Sequence, residues 1–313
     1  MDTWISIVLF LIVLFLYVHL QYQYKKSEDL EIYEFDYSTN AELQEICDLK
    51  QPVLFRIDMF EEVPAQFNIP EKNDVFVRDI RDYYKDDTIP SLRLSYSSAT
   101  GLMNTDPKGH FFSEENSELM DVSDLGKSYK QMDPILSPPF AAFSKYDLLF
   151  GSSNAHTPFQ YHTESRRFLF VGEGAGIRVK MAPWKNSKYL SPVNDYEDYR
   201  FWSRVDLWKD PKIKCLDFLV NPGFVIYVPP YWWYSIQFVD SKNRSKVASF
   251  SYMSPMNVLA NVPNWTYYFL QQQNMNKIMV KTVSSISNPE TETKVVEIKS
   301  EINDIDYTDQ KEK

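Results

Sequence analysis

The chain has four histidines, and His19 lies inside an apolar stretch, so a histidine-dependent site in a folded domain must draw on His110, His156 and His162. His162 has the most informative neighbours. His162-Thr-Glu164 places an imidazole and a carboxylate two residues apart, and Arg166-Arg167 follows at once. Such a pair can ligate a cation; beside arginines it can equally be a hydrogen-bonded structural pair, with Glu164 and Arg167 closing a local ion pair. Farther along, Pro222-Gly-Phe-Val-Ile-Tyr-Val-Pro-Pro-Tyr-Trp-Trp-Tyr234 sets Tyr231, Trp232, Trp233 and Tyr234 in a row. Four adjacent rings either line a small-molecule pocket or fill the mouth of a barrel, their N–H and O–H groups finding local partners.

The elements that must position these residues are mostly strands. Residues 31–37 alternate like an edge strand, Thr39 and Glu42 have the spacing of a capping box that opens a short helix, and residues 52–57 read as a buried strand. Short strands and turns fill 73–109, and 114–132 has helical periodicity interrupted by Ser and Gly. From 134 to 255 apolar residues recur at every second position between turn signals. There the pattern predicts two hairpins: 167–171 meeting 177–181 across Gly172-Glu-Gly-Ala-Gly176, and 215–220 meeting 224–228 across Asn221-Pro-Gly223. Two further strands follow, near 235–239 and 246–252. The excursion at 185–212 is rich in Tyr, Trp and charge and serves as a cover for one mouth of a barrel or as a surface loop.

Composition limits the partners. The formal charge is −10, with 33 basic against 43 acidic residues and no basic run. Nucleic acid is therefore not expected, because phosphate backbones are bound by clustered cations. Cys47 and Cys215 are too few for a disulfide framework or a cysteine-based zinc site, and a reducing compartment is the simpler expectation.

Residues 4–20 carry no Asp, Glu, Lys or Arg, and as a helix they would extend about 25 Å, the short end of a membrane span. A secretory signal would have a basic start and a small-residue cleavage site. Met1-Asp2-Thr3 and Gln21-Tyr22-Gln23-Tyr24 offer neither, so the segment reads as a retained anchor. Trp4 at one end and Tyr17, Tyr22 and Tyr24 at the other are interfacial aromatics, and Lys25-Lys26 predicts a domain on the cytoplasmic side. The expected organisation is a terminus at 1–3, an anchor at 4–20, a juxtamembrane linker at 21–27 and one domain at 28–260. A terminal helix at 261–283, with its strongest pattern over 264–280, and a disordered charged tail at 284–313 complete it.

The segment Thr157-Pro-Phe-Gln-Tyr-His-Thr-Glu164, taken with the Pro222 to Tyr234 run, resembles the cupin-like JmjC family, whose members are double-stranded β-helix proteins. There the first motif reads Thr-Pro-x-His-x-Asp and the second Pro-Gly-x-x-x-Tyr-x-Pro-x-x-Trp-Trp-His. The resemblance extends over residues 28–260 and is most specific in the second motif. It implies a mostly β fold, a double-stranded β-helix barrel with a few flanking helices, preceded by one transmembrane helix.

In active family members a His, a carboxylate two residues on and a distant His hold Fe(II), leaving positions for 2-oxoglutarate and oxygen. The distant His falls on Tyr234. In one register the first two ligands fall on Gln160 and His162; two residues on, they fall on His162 and Glu164. The resemblance also places a basic residue for the 2-oxoglutarate carboxylate on the strand of Arg178 and Lys180, which alternation alone would point to solvent. Two functions follow from it. One is a non-catalytic binding or structural module with a degenerate metal site at His162, Glu164 and Tyr234, no cofactor, and a pocket formed by Gln160, Tyr231, Trp232 and Trp233; it would bind a protein partner or a small acid. The other is an Fe(II)/2-oxoglutarate-dependent dioxygenase with an atypical iron site. The sequence His162-Thr-Glu-Ser-Arg-Arg-Phe168 together with Pro230-Tyr-Trp-Trp-Tyr234 is similar to cupin-like proteins of large DNA viruses of algae and protists, which implies a virion inner membrane or host endomembrane as the location.

Overall fold

Alternating apolar side chains build two sheets. The computed structural model describes residues 3–57, 67, 69–85, 90–239 and 244–274. Within them the strands are β1 (Tyr33–Asp36), β2 (Val53–Arg56), β3 (Asp74–Asp79), β4 (Leu92–Ser95), β5 (Phe111–Ser113), β6 (Phe143–Gly151), β7 (Gln160–Tyr161) and β8 (Arg166–Glu173). They continue with β9 (Ile177–Ala182), β10 (Pro192–Asp195), β11 (Arg200–Ser203), β12 (Leu216–Val220), β13 (Phe224–Val228), β14 (Trp233–Phe238) and β15 (Lys246–Met253). One sheet has nine strands in the order β1-β2-β13-β8-β15-β6-β5-β3-β4; the other has six, β10-β11-β7-β14-β9-β12. The helices are α1 (Thr3–Tyr24), α2 (Asn40–Cys47), α3 (Tyr96–Asn104), α4 (Ser117–Val122), α5 (Leu125–Lys130), α6 (Asp133–Leu136) and α7 (Pro255–Asn274).

The period-2 pattern divides each strand between two cores. On β8, Phe168 and Phe170 face a core shared with α2 and α4 to α6, where Leu43, Leu119, Leu125 and Leu136 pack. Leu169 and Val171 face the other way, into a core between the sheets shared with Val179, Met181, Tyr234 and Ile236. A third, aromatic core lies on the outer face of the six-stranded sheet, where the 185–212 excursion folds back so that Tyr161, Phe201, Leu207 and Trp233 are buried together. That excursion also adds β10 and β11 to the sheet.

Both expected hairpins fail. β8 pairs with β13 and β15 in the larger sheet, whereas β9 pairs with β14 and β12 in the smaller one. Likewise β12 pairs with β9, but β13 pairs with β2 and β8. The Gly172 to Gly176 turn crosses from sheet to sheet, with Gly174 and Gly176 at φ values of 95° and 96° that disfavour a side chain. Strand alternation and a glycine turn are common to a hairpin and a crossover, so local pattern could not separate them.

Other differences are smaller. The capping box forms in half: Thr39 Oγ1 accepts from Glu42 N at 3.3 Å, while the Glu42 carboxylate bonds Ser38 Oγ. The helical stretch at 114–132 breaks into short helices, and at Gly126 an added Cβ would lie 2.2 Å from the Met120 carbonyl oxygen, so only glycine fits that bend. The terminal helix begins at Pro255 and contains Pro263; residues 275–283 and the expected tail lie outside the described residues.

Helix α1 is long and apolar enough to cross a membrane, and none of its residues is buried. It does not end in a loose linker. Lys50, itself buried, donates its ammonium to the carbonyls of Tyr22, Gln23 (3.2 Å) and Lys25 (3.1 Å), a cation set on the negative end of the helix dipole. The Tyr24 hydroxyl reaches the Ala260 carbonyl at 2.6 Å, and Lys26 Nζ stacks 3.7 Å from the centre of the Trp184 ring.

Candidate functional site

The two motif segments adjoin. Tyr234 stands opposite Gln160 in the β14–β7 pairing, and Thr157 clamps the next residues, its N–H donating to the Ile236 carbonyl at 2.8 Å and its Oγ1 accepting from Ile236 N at 3.0 Å. His162 is fastened to the Pro229 to Trp232 turn: Tyr231 N donates to its carbonyl at 2.9 Å, and its Nε2 donates to the Val228 carbonyl at 3.0 Å. Because a carbonyl only accepts, the ring proton sits on Nε2. Nδ1 then faces Glu164 Oε2 at 3.1 Å, and neither atom has another hydrogen-bond partner.

Between the motif residues lies a guanidinium. Arg167 Nη1 donates to the Tyr234 hydroxyl at 2.7 Å, Nη2 to Glu164 Oε1 at 3.1 Å, and Nε to Ser251 Oγ at 3.0 Å. Strand register explains the placement. Arg167 shares parity with Leu169 and Val171, pairs with Ser251 on β15, and Ser251 pairs with Lys145 on β6. The next inward row is Leu169, Ser249 and Asp147, and the last is Val171, Val247 and Leu149. The space between the sheets therefore grades from polar at one end to apolar at the other, and the motif residues sit at the polar end.

A second network continues it. Glu114, fully enclosed, accepts from Gln160 Nε2 at 3.2 Å and pairs with Arg200 at 3.0 Å; the Tyr83 hydroxyl donates to Glu114 and accepts from Arg200. Glu115 joins Arg200 Nε at 3.1 Å to Arg78 at 2.6 Å. Asp147 shapes the turn that presents these two glutamates, accepting from Glu115 N at 2.7 Å and Asn116 N at 2.8 Å. The cavity enclosed by both networks holds about 50 Å³, with exposed Lys145 at its rim. At about 10–15 Å³ of such space per water, that is room for a few water molecules.

The electrostatics follow from this packing. Burial opposes ionisation of Glu164, but the Arg167 guanidinium outweighs it and holds the carboxyl well below the usual carboxylate range. Burial and Arg167 lower the affinity of His162 for a second proton, against the pull of Glu164. Burial raises the Tyr234 phenol despite Arg167, so it stays protonated at neutral pH. Burial also pushes Glu114 above the usual carboxylate range, against Arg78.

These donors do not fit an iron centre of the 2-oxoglutarate type. A neutral phenol is a weak ligand, and its oxygen already receives a hydrogen bond from Arg167, as Glu164 does. A dication brought to them would meet a fixed positive charge. Among the described residues, no group of three or more His, Cys, Asp and Glu converges as a metal site would require.

The remaining expected residues lie elsewhere. Arg178 and Lys180 are on the outer face of β9: Arg178 forms a two-pronged pair with Asp217 at 2.6 and 2.9 Å, and Lys180 donates to the Leu207 carbonyl at 3.0 Å. They do not share the cavity of Tyr234. Tyr231 and Trp233 also point outward, Tyr231 against Trp184 and Trp233 with its Nε1 on Ser187 Oγ at 2.8 Å, while Trp232 fills the inter-sheet core. Gln160, His162, Glu164 and Tyr234 are the ones brought together.

No protein-family model matches the chain, and no curated protein matches it closely. The geometry accordingly carries the functional reading. Arg167 is visible in the sequence only as a partner for Glu164, and Glu114, Arg200, Arg78 and Asp147 gave no motif. Parity was the available signal, since Arg167-Phe-Leu-Phe-Val171 and Asp147-Leu-Leu149 both place a charge in phase with inward apolar residues.

Proposed function

We propose that this protein is a membrane-anchored, cupin-like binding or structural module without catalytic chemistry. The observation that carries the proposal is Arg167, whose guanidinium joins Glu164 to Tyr234 and so supplies the positive charge that a metal would otherwise bring. Carboxylates and cations of the interior are paired into a network, the kind of arrangement that fixes one packing of a core. Two sheets facing each other across a core, with successive strands crossing between them, support the double-stranded β-helix reading and the resemblance to the cupin-like JmjC family. In this proposal α1 is the anchor, supported by its length, its exposed apolar surface and its docking through Lys50. Lys25-Lys26 supports a domain on the cytoplasmic side. The similarity to proteins of large DNA viruses supports a virion or endomembrane location, with another protein as partner and no nucleic acid.

The experiment is an iron and turnover assay. The full chain in phosphatidylcholine nanodiscs, given Fe(II) and 2-oxoglutarate anaerobically and then oxygen, should retain no stoichiometric iron and release no succinate. Stoichiometric iron with succinate production that disappears in His162→Ala would overturn the proposal. The dioxygenase alternative is favoured by one observation: His162 Nδ1 and Glu164 Oε2 face each other at 3.1 Å with no other partner. The same assay decides it.

A further inference from the structure

Helix α7 is built inside out. Its inner stripe is polar: Asn257 and Asn261 are buried and donate to the Thr163 carbonyl at 3.0 and 3.3 Å, Asn264 accepts from the Tyr196 hydroxyl at 3.4 Å, and Gln272 donates to the Glu197 carbonyl at 2.7 Å. Its outer stripe is mostly apolar, interrupted by exposed Thr266 and Gln273. Leu259, Val262, Phe269 and Leu270, on one side at helical spacing, are each about half exposed or more. The 20 residues include no Asp, Glu, Lys, Arg or His. A helix in contact with water places its polar side outward, and an exposed apolar stripe without charge marks a surface whose natural neighbour is not water.

The position of α7 identifies that neighbour. α1 packs against α7, with the Tyr24 hydroxyl on the Ala260 carbonyl at 2.6 Å, between Leu259 and Val262 in sequence. The charge-free run of α1 ends at Leu20, and Lys26 already stacks on Trp184 of the domain. The four helical residues after Leu20 rise about 6 Å, and only Lys25 lies between the helix end and Lys26. The headgroup layer on each side of a bilayer is about 5–8 Å deep. The foot of the domain, where α7 lies, is thus brought to the headgroups with no slack between.

We propose that α7 is a second membrane contact, lying in the bilayer interface with Leu259, Val262, Phe269 and Leu270 among the acyl chains, and with Trp265 and Tyr267 at headgroup level. The proposal rests on α1 being a membrane anchor. Because α7 is uncharged, the contact depends on apolar burial and not on anionic lipid.

Site-directed spin labelling tests it in the full chain, in a Cys215→Ser background that leaves only buried Cys47. Labels are placed through Phe10→Cys on α1, Val262→Cys and Leu270→Cys on α7, and Leu219→Cys. Leu219 is exposed on β12, at the opposite edge of the six-stranded sheet from β10. In phosphatidylcholine bilayers, collisions with oxygen should exceed those with a water-soluble nickel chelate several-fold at positions 10, 262 and 270, and fall below them at 219. Adding phosphatidylglycerol should leave these ratios unchanged. Positions 262 and 270 behaving like 219, with 10 still in lipid, would overturn the interfacial helix and leave the anchor standing. Position 10 in water would overturn both.

Discussion

Arg167 and Tyr234 are joined by a 2.7 Å hydrogen bond from guanidinium to phenol, across the space between the two sheets. The bond ties β8 of the larger sheet to β14 of the smaller one at the polar end of their shared core. The second prong of the guanidinium holds Glu164. The Arg167 guanidinium therefore occupies the centre of the constellation, and the consequences can be measured.

Truncating the guanidinium leaves a buried carboxylate without its cation. Arg167→Ala should destabilise the fold by about 3–5 kcal/mol, the usual cost of breaking a buried pair from one side. Adding Glu164→Gln should restore part of that loss, so chemical denaturation of the two single variants and the double variant should reveal a strong coupling. Additive losses would show that the pair is not a unit.

The same pair sets a pH dependence. Glu164 titrates well below its unfolded value, so its contribution to stability is complete above the usual carboxylate range, about pH 4.3, and is lost as pH falls below it. Glu164→Gln should be less stable than the natural protein at neutral pH, and the difference should shrink steadily as denaturation midpoints are followed into acid. A gap that stays constant with pH would assign the stabilisation to other groups.

Restoring an imidazole should not by itself restore a metal site. In Tyr234→His the Arg167 guanidinium still faces Glu164, and iron titration in nanodiscs should show no stoichiometric binding; combining it with Arg167→Ala removes the opposing charge and should raise iron affinity. Tight iron binding by the single variant would remove the guanidinium as the obstacle.

The joint at the foot of α1 is also testable. Lys50→Met removes an ammonium from the Tyr22, Gln23 and Lys25 carbonyls; Tyr22 keeps the Lys25 N–H, and acceptors that lose their donor in a half-buried setting cost about 1–3 kcal/mol. Proteolysis between residues 24 and 30 should accelerate in the variant while the thermal transition of the β-domain moves little. Unchanged cleavage would show that other contacts carry the joint.

Much of this architecture was legible beforehand, and the failures share a cause. Apolar alternation located β8, β9 and β12 to β15, and Thr39 marked the start of α2, because these depend on near neighbours; β6, β7, β10 and β11 were not placed individually. The pairing of β8 with β15 and of β9 with β14 did not show, because sheet membership is decided between segments far apart in sequence. The site divided in the same way. His162, Glu164 and Tyr234 stood out by residue type, whereas the role of Arg167 depended on which face of β8 was inward. Arg178 and Lys180 have the opposite parity to Val179 and so lie on the outer face of β9, Arg178 exposed and Lys180 covered by the Leu207 loop.

The clasp of Lys50 on the last turn of α1 makes a stiff neck where a slack tether would be ordinary. If α1 is the membrane anchor proposed above, a domain on such a neck would not swivel independently of its stem. The stem's azimuth would become the domain's, every copy would stand at one height, and the opening beside Lys145 would keep one bearing. Two stems touching in the lipid would then dictate which flanks of their domains meet.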